Sequence, residues 1–184
     1  MGDLTTLASV KLYLGKTNND SDDVLTLLIS QISKAVENYT GRNFLTASYD
    51  VTLDGNGASA LYLPERPVTA ITTLEANGKV IQASASFYTD GYVREPDMVY
   101  LRNMLFPVGR KNVRIAYTAG YANVASLPAD IVGAVNETVA LRFKERDWLG
   151  FKSKSLAGET ITFETAQFSK TALNVLDSYM VVAL

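Results

Sequence analysis

Four carboxylates, Glu65, Asp90, Glu95 and Asp97, are the residues of this chain best able to do chemistry. A pair of carboxyl groups can cleave a glycosidic bond as acid and base, or acid and nucleophile, without an imidazole. These four lie in turn-rich sequence, and nothing in their spacing brings any two together. Asn18, Asp20 and Asp22 have the alternate spacing of a calcium loop, but the sixth position holds Asp23 instead of Gly and the twelfth Ile29 instead of Glu. Three carboxylates there fit a helix N-terminus, whose positive dipole end favours them. Gly55-Asn56-Gly57 opens like a dinucleotide fingerprint, yet no third Gly follows and a strand comes next, so it reads as a hairpin turn. Arg142, Lys144, Arg146, Lys152 and Lys154 concentrate positive charge, interrupted by Glu145 and Asp147. Mixed charge at a helix end reads as a solvated, dipole-compensating face, where at most transient phosphate contact is expected.

Composition narrows the chemistry further. The 184 residues include no His and no Cys, which removes Ser-His-Asp triads, thiolate nucleophiles, disulfides and nearly all zinc sites. Seventeen Lys+Arg against 19 Asp+Glu leave a formal charge of −2, unlike a chain built to grip DNA phosphates. Neither a catalytic residue, a cofactor nor a metal is expected, and 47% hydrophobic with 20% charged residues describes a globular domain. Asp3 sits where an export signal carries positive charge, and the apolar run Met180 to Leu184 is far below the ~20 residues of a membrane span, so no membrane segment is expected. The triplets Asn38-Tyr39-Thr40 and Asn136-Glu137-Thr138 fit glycosylation sites but lie in helical sequence, where chance explains them.

The elements run helices, a β block, helices. Thr5 and Thr6 can cap a helix bearing Leu7, Val10 and Leu14 and closed by Gly15. After a polar break capped by Ser21 or Asp22, Leu25, Leu28, Ile29, Ile32, Val36 and Tyr39 recur at helical spacing, with Thr26, Ser30, Ser33, Lys34 and Glu37 opposite and Gly41 at the end. Short strands are predicted at Tyr49–Leu53, Ala60–Leu63, Val68–Leu74, Phe87–Thr89, Met98–Leu101 and Asn112–Tyr117, with a hairpin at Asn77-Gly78. Strands this short and close imply antiparallel meanders. Pro128 then opens a helix with Ile131, Val132, Val135, Val139 and Phe143 on one face, running toward Trp148. Residues 149–167 read as a long loop or arm holding one strand, Thr160–Phe163, and Ser169 caps a last helix carrying Leu173, Leu176 and Tyr179.

The fold class is therefore α+β: a small helical bundle of about four helices with an inserted antiparallel β-meander block. One domain is expected over 1–184, with a helical body at 1–45 and 126–184, a β insertion near 46–118 and a flexible arm near 149–167. Long loops in compact domains are usually functional or become ordered on a partner. The tail Met180–Leu184 has two readings: it completes the chain's own core, or it anchors to a neighbour.

The order of these features resembles the head–tail connector (adaptor) family of tailed double-stranded-DNA bacteriophages. The residues that carry it are Val36-Glu37-Asn38-Tyr39-Thr40-Gly41-Arg42, the Leu-Pro-x-x-Pro-Val turn at Leu63 to Val68, Tyr117-Thr118-Ala119-Gly120-Tyr121, and Leu127-Pro128-Ala129-Asp130-Ile131 opening a helix. Lys152 to Glu159 and Leu176-Asp177-Ser178-Tyr179 look like the same family's loop and last helix, while the β block is larger than in mostly helical members. The resemblance implies a structural virion protein, not an enzyme, made in the host cytoplasm and placed at the head–tail interface. It further implies a ring, commonly twelve-fold, docked on the portal protein after packaging, which offers a stopper or tail-completion protein its attachment site and passes DNA transiently through its lumen. The helices would form the ring body, with the β block outside it or at one end. Expected partner or neighbour contacts are Trp148, Phe151, Lys152, Lys154, Phe163, Tyr179, Met180, Val181, Val182 and Leu184. A subunit at −2 suits a conduit that must release DNA. The competing reading is a tail-side structural protein whose β block binds carbohydrate or host surface, followed by a carboxylate hydrolase.

Overall fold

A computed structural model describes residues 2–146, 153–156, 159–162 and 167–181. They hold helices α1 (Leu7–Leu14), α2 (Asp22–Thr40), α3 (Ala129–Glu145) and α4 (Lys170–Asp177), with a 3-10 turn at Val124–Ser126. Strands are β1 (Ala47–Gly55), β2 (Ala60–Tyr62), β3 (Val68–Ala76), β4 (Lys79–Val80), β5 (Gly91–Arg94), β6 (Met98–Arg102), β7 (Gly109–Ala119), β8 (Ser153–Leu156) and β9 (Glu159–Thr162). The α+β class expected from sequence is the observed one. Asn43–Asn123 form one compact unit, and the chain before and after it forms a second, helical one.

In the helical unit the hydroxyl caps of α1 and α4 form, whereas Ser21 stands at the N-cap of α2 without a side-chain cap bond. The Thr6 side chain accepts from the Ser9 N–H at 3.1 Å, and Ser169 accepts from Ala172 N–H at 3.1 Å. Gly15 and Gly41 close α1 and α2 in the left-handed region, at φ 66° and 69°. The core is Leu4, Val10, Leu25, Ile29, Ile32, Val36, Ile131, Val135, Val139, Phe143, Phe168, Ala172 and Leu176, all buried. Burying each large aliphatic side chain is worth about 1.5–3 kcal/mol. Pro128 sits one residue before α3 as its N-cap, and α3 ends at Glu145. Two expectations for α2 fail: Ser33 and Glu37, assigned to its polar face, are buried, whereas Leu28 is only half-buried. The Leu4 N–H donates to Ser33 Oγ at 2.9 Å, so the N-terminal segment lies over that side of α2.

In the β unit, a four-stranded antiparallel sheet has the order β1-β7-β3-β4 and a three-stranded one the order β2-β6-β5. Both contribute to a single buried cluster that includes Leu61, Val99 and Leu101 from one sheet and Leu74, Val113, Ile115 and Tyr117 from the other. Asn77 and Gly78, at φ 49° and 74°, make the predicted tight hairpin between β3 and β4. The predicted strand Phe87–Thr89 is instead a turn: Ser84 Oγ donates to Ser86 O and Thr89 O at 2.7 and 2.8 Å, and the strand follows at Gly91. Hydroxyl side chains that bond the local backbone offer it an alternative to a ladder.

The stretch expected to carry one strand carries two. β8 and β9 pair antiparallel, from Ser153 opposite Thr162 to Leu156 opposite Glu159.

Candidate assembly surfaces

Of the four carboxylates that could have formed a catalytic pair, those of Glu65 and Asp90 accept local hydrogen bonds. Glu65 accepts from the Asn43 N–H at 3.1 Å, and Asp90 accepts from Asn103 Nδ2 at 3.2 Å. Glu95 and Asp97 hold the β5–β6 and β2–β6 connections through their backbones, Glu95 N–H to Met98 O at 2.9 Å and Leu63 N–H to Asp97 O at 3.1 Å. In the calcium-like loop Asn18 Nδ2 donates to Asp20 at 2.6 Å, and Lys11 Nζ, from α1, forms an ion pair with Asp22 at 2.8 Å. Among the described residues no group of three or more acidic side chains could hold a metal, and no helix is long and apolar enough to cross a membrane.

Polar side chains serve instead to fix segments. Asn136, buried on α3, accepts from Thr5 Oγ1 at 2.6 Å and donates to Ser9 Oγ at 2.9 Å, tying the N-terminal segment and α1 to the bundle. Its burial also shuts the Asn136-Glu137-Thr138 triplet away from any glycosylating enzyme. Burial raises the Glu37 carboxyl above its usual value, Lys34 at 3.6 Å offsetting part of that. In the β unit, desolvation pushes the Tyr117 hydroxyl up to about 12, and its oxygen accepts the Glu65 N–H at 3.3 Å. Asp50 and Arg114 form a bidentate pair at 3.0 and 2.6 Å across β1 and β7; that contact lowers the Asp50 pKa and raises that of Arg114.

Gly120 shows why a glycine stands in the Tyr-Thr-Ala-Gly-Tyr run. Its φ is +107°, and a Cβ there would lie 2.6 Å from Leu45 O. That close approach lets Tyr121 N–H reach Phe44 O at 2.8 Å and Thr46 N–H reach Tyr121 O at 2.9 Å.

Of the expected contact residues, Trp148, Phe151, Lys152, Phe163, Val182 and Leu184 lie outside the described residues, and Lys154 lies on β8. The described tail closes on its own helical unit. Tyr179 Oη donates to both Asp130 carboxylate oxygens at 3.0 and 2.9 Å, Val181 N–H donates to Thr40 O at 3.0 Å, and Met180 is 42% exposed. Sequence reasoning missed the exposed apolar side chains of the first two helices, Leu12, Tyr13, Val24 and Leu27. The one signal for them was a helix with more apolar positions than one core stripe uses.

The fold is shared with known particles. The chain superposes on a chain of the neck of an empty GTA particle computed with six-fold symmetry, with a TM-score of 0.58 at 17% identity, covering 97% of this chain and 90% of that one. It also matches the neck of a native GTA particle computed with twelve-fold symmetry, with a TM-score of 0.54 at 15% identity, covering 100% and 96%. A third match is in the virion of a native gene transfer agent particle, with a TM-score of 0.56 at 16% identity over 97% and 90% of the two chains. No curated protein matches the sequence significantly. The family model described as "head completion protein" matches residues 3–182, nearly every residue whose burial and pairing are set out above, and the chain belongs to the head completion protein family.

Proposed function

We infer that this chain is a structural subunit of the head–tail neck, forming a closed ring that docks on the portal after DNA packaging and offers the tail or a stopper its attachment site. The observation that carries this reading is the family match over residues 3–182. The likeness to neck chains of six-fold and twelve-fold particles supports a ring as the form of assembly. The helical unit is the proposed ring body. The segment 149–167 and the tail, with Trp148, Phe151, Lys152, Lys154, Phe163 and Tyr179 to Leu184, are its proposed contacts with neighbours or portal. Each subunit carries −2, so the ring as a whole is negative, which favours release of DNA over retention. Removing the gene should leave DNA-filled heads without tails in electron micrographs. Normal tailed particles from that deletion would refute the reading.

A second reading rests on the β unit, where Phe87 and Tyr88 are 75% and 87% exposed and stand edge to face at 5.4 Å, with Arg102 5.1 Å from the Phe87 ring centre. Exposed aromatics of this kind can stack on sugars. Glycan-array binding lost in Phe87→Ala and Tyr88→Ala would favour it.

A further inference from the structure

We propose that the outer flank of α2, led by Asp23 and Leu27, seats in the groove between α1, α3 and the start of α4 of the next copy of this chain. The proposal rests on the ring reading above and names the two faces that join.

On α2 the buried stripe is Leu25, Ile29, Ile32 and Val36. Leu27 lies about 200° around the helix from Leu25, pointing away from that core, and is 58% exposed, with Val24 42% exposed. Asp23, four residues before Leu27, shares its flank, and Asp20 adds a second carboxylate at this end of the helix, where Asp22 is paired with Lys11.

A groove of about 250 Å³ lies on different helices of the same unit, lined by Tyr13, Glu137, Ala140, Leu141, Lys144 and Ser169. Its wall is largely apolar, Tyr13 is half exposed, and the exposed Lys144 supplies its cation. Glu137 is held by Ser169 Oγ at 2.5 Å and lies two helical turns from Lys144, so it does not neutralise that end.

The two faces also stand at the same level. Val181 N–H reaches Thr40 O and Tyr179 reaches Asp130, which sets the end of α2 beside the start of α3. The start of α2 and the end of α3 therefore share the opposite end of the bundle. Lys16 Nζ, 5.0 Å from the Phe143 ring centre, and Lys11, bound to Asp22, lie there too. A ring closed by rotation needs two different complementary patches at one height on opposite flanks of each subunit. An acidic ridge bearing Leu27 and an apolar groove bearing Lys144 meet that requirement in shape and in charge.

The chain has no cysteine, so an introduced pair reports the contact cleanly. Particles are assembled with subunits carrying both Leu27→Cys and Leu141→Cys, then mildly oxidised. The expected result is a ladder of cross-linked multimers, absent with either single variant. Asp23→Lys and Lys144→Asp should each cut the yield of ring-bearing particles about tenfold, and together restore it. Rings visible by electron microscopy, with no ladder and no effect of either reversal, would overturn this interface and leave the ring reading standing. Unsubstituted particles without any ring would overturn the ring reading, and this interface with it.

Discussion

The Tyr179 hydroxyl donates to both carboxylate oxygens of Asp130, at 3.0 and 2.9 Å, joining residues 49 positions apart. Asp130 lies in the first turn of α3, where a carboxylate is favoured by the helix dipole, and Arg42 Nη1 donates to the Tyr179 carbonyl at 3.4 Å. The last described residues are thereby fastened to the ends of two helices before any partner arrives. Tyr179→Phe removes the hydroxyl but keeps the ring. It should lower stability by about 1 kcal/mol, read as a reduced urea midpoint with an unchanged slope.

Among the described residues, deleting 180–184 removes two backbone hydrogen bonds, Met180 N–H to Asp177 O and Val181 N–H to Thr40 O, and opens the space beside Gly41, where a Cβ would lie 3.9 Å from the Val181 side chain. The helical unit keeps its core and should stay folded by circular dichroism. Attachment to portal-bearing heads should be lost, because this tail is a proposed contact surface. Normal tail joining by the truncated chain would remove the tail from that role.

Asn136 is 6% exposed and sits between two hydroxyls. Asn136→Leu leaves the buried Thr5 hydroxyl, itself 2% exposed, without its acceptor 2.6 Å away. A buried polar group stripped of its partner costs about 1–3 kcal/mol, and thermal unfolding should shift down accordingly. Adding Thr5→Val should recover much of the loss, since it removes the buried hydroxyl left without an acceptor, while the half-buried Ser9 hydroxyl, which also loses Asn136, can turn to water.

Periodicity made the inner stripe of α2 legible: Leu25, Ile29, Ile32 and Val36 were expected inside and are inside. The same reading put Ser33 and Glu37 outside, because a helical period reports one dominant apolar face. It carries no information about a preceding segment that folds back over a polar one. Leu4 does this, with its N–H on Ser33 Oγ. The Phe87-Tyr88-Thr89 run was misread for a related reason. Its β propensity is real, but the Ser84 hydroxyl donates to Thr89 O and the Thr89 hydroxyl accepts from Ser86 N–H, local bonds that hold a turn. The proposed assembly faces left almost no mark, since an exposed Leu27 and a buried one look alike in a string of residues.

Gly120→Ala tests the close approach of Gly120 to Leu45. The new Cβ would meet Leu45 C at 2.7 Å and Thr46 N at 2.8 Å, backbone atoms that cannot yield without losing the Leu45–Tyr121 bridge. With the positive φ added, the loss should exceed about 1 kcal/mol in chemical denaturation. Gly133→Ala on α3, where a Cβ meets nothing within 4 Å, should by contrast be neutral or stabilising.

Glu37 gives stability a pH dependence whose sign is fixed by its burial. Desolvation raises its carboxyl above the ordinary value of 4.5, and the Lys34 ammonium at 3.6 Å only partly opposes this. Between 4.5 and the raised value the folded chain holds a proton that the unfolded chain has released. Stability from this group is therefore full below 4.5 and falls as pH rises through the raised value, then stays level. Glu37→Gln keeps the shape without the charge, so it should raise the melting temperature at neutral pH and leave it unchanged at the acid end. The difference between the two melting curves, plotted against pH, should grow upward from 4.5. If the variant melts lower than the parent at pH 7, the ion pair with Lys34 outweighs burial and this account of Glu37 is wrong.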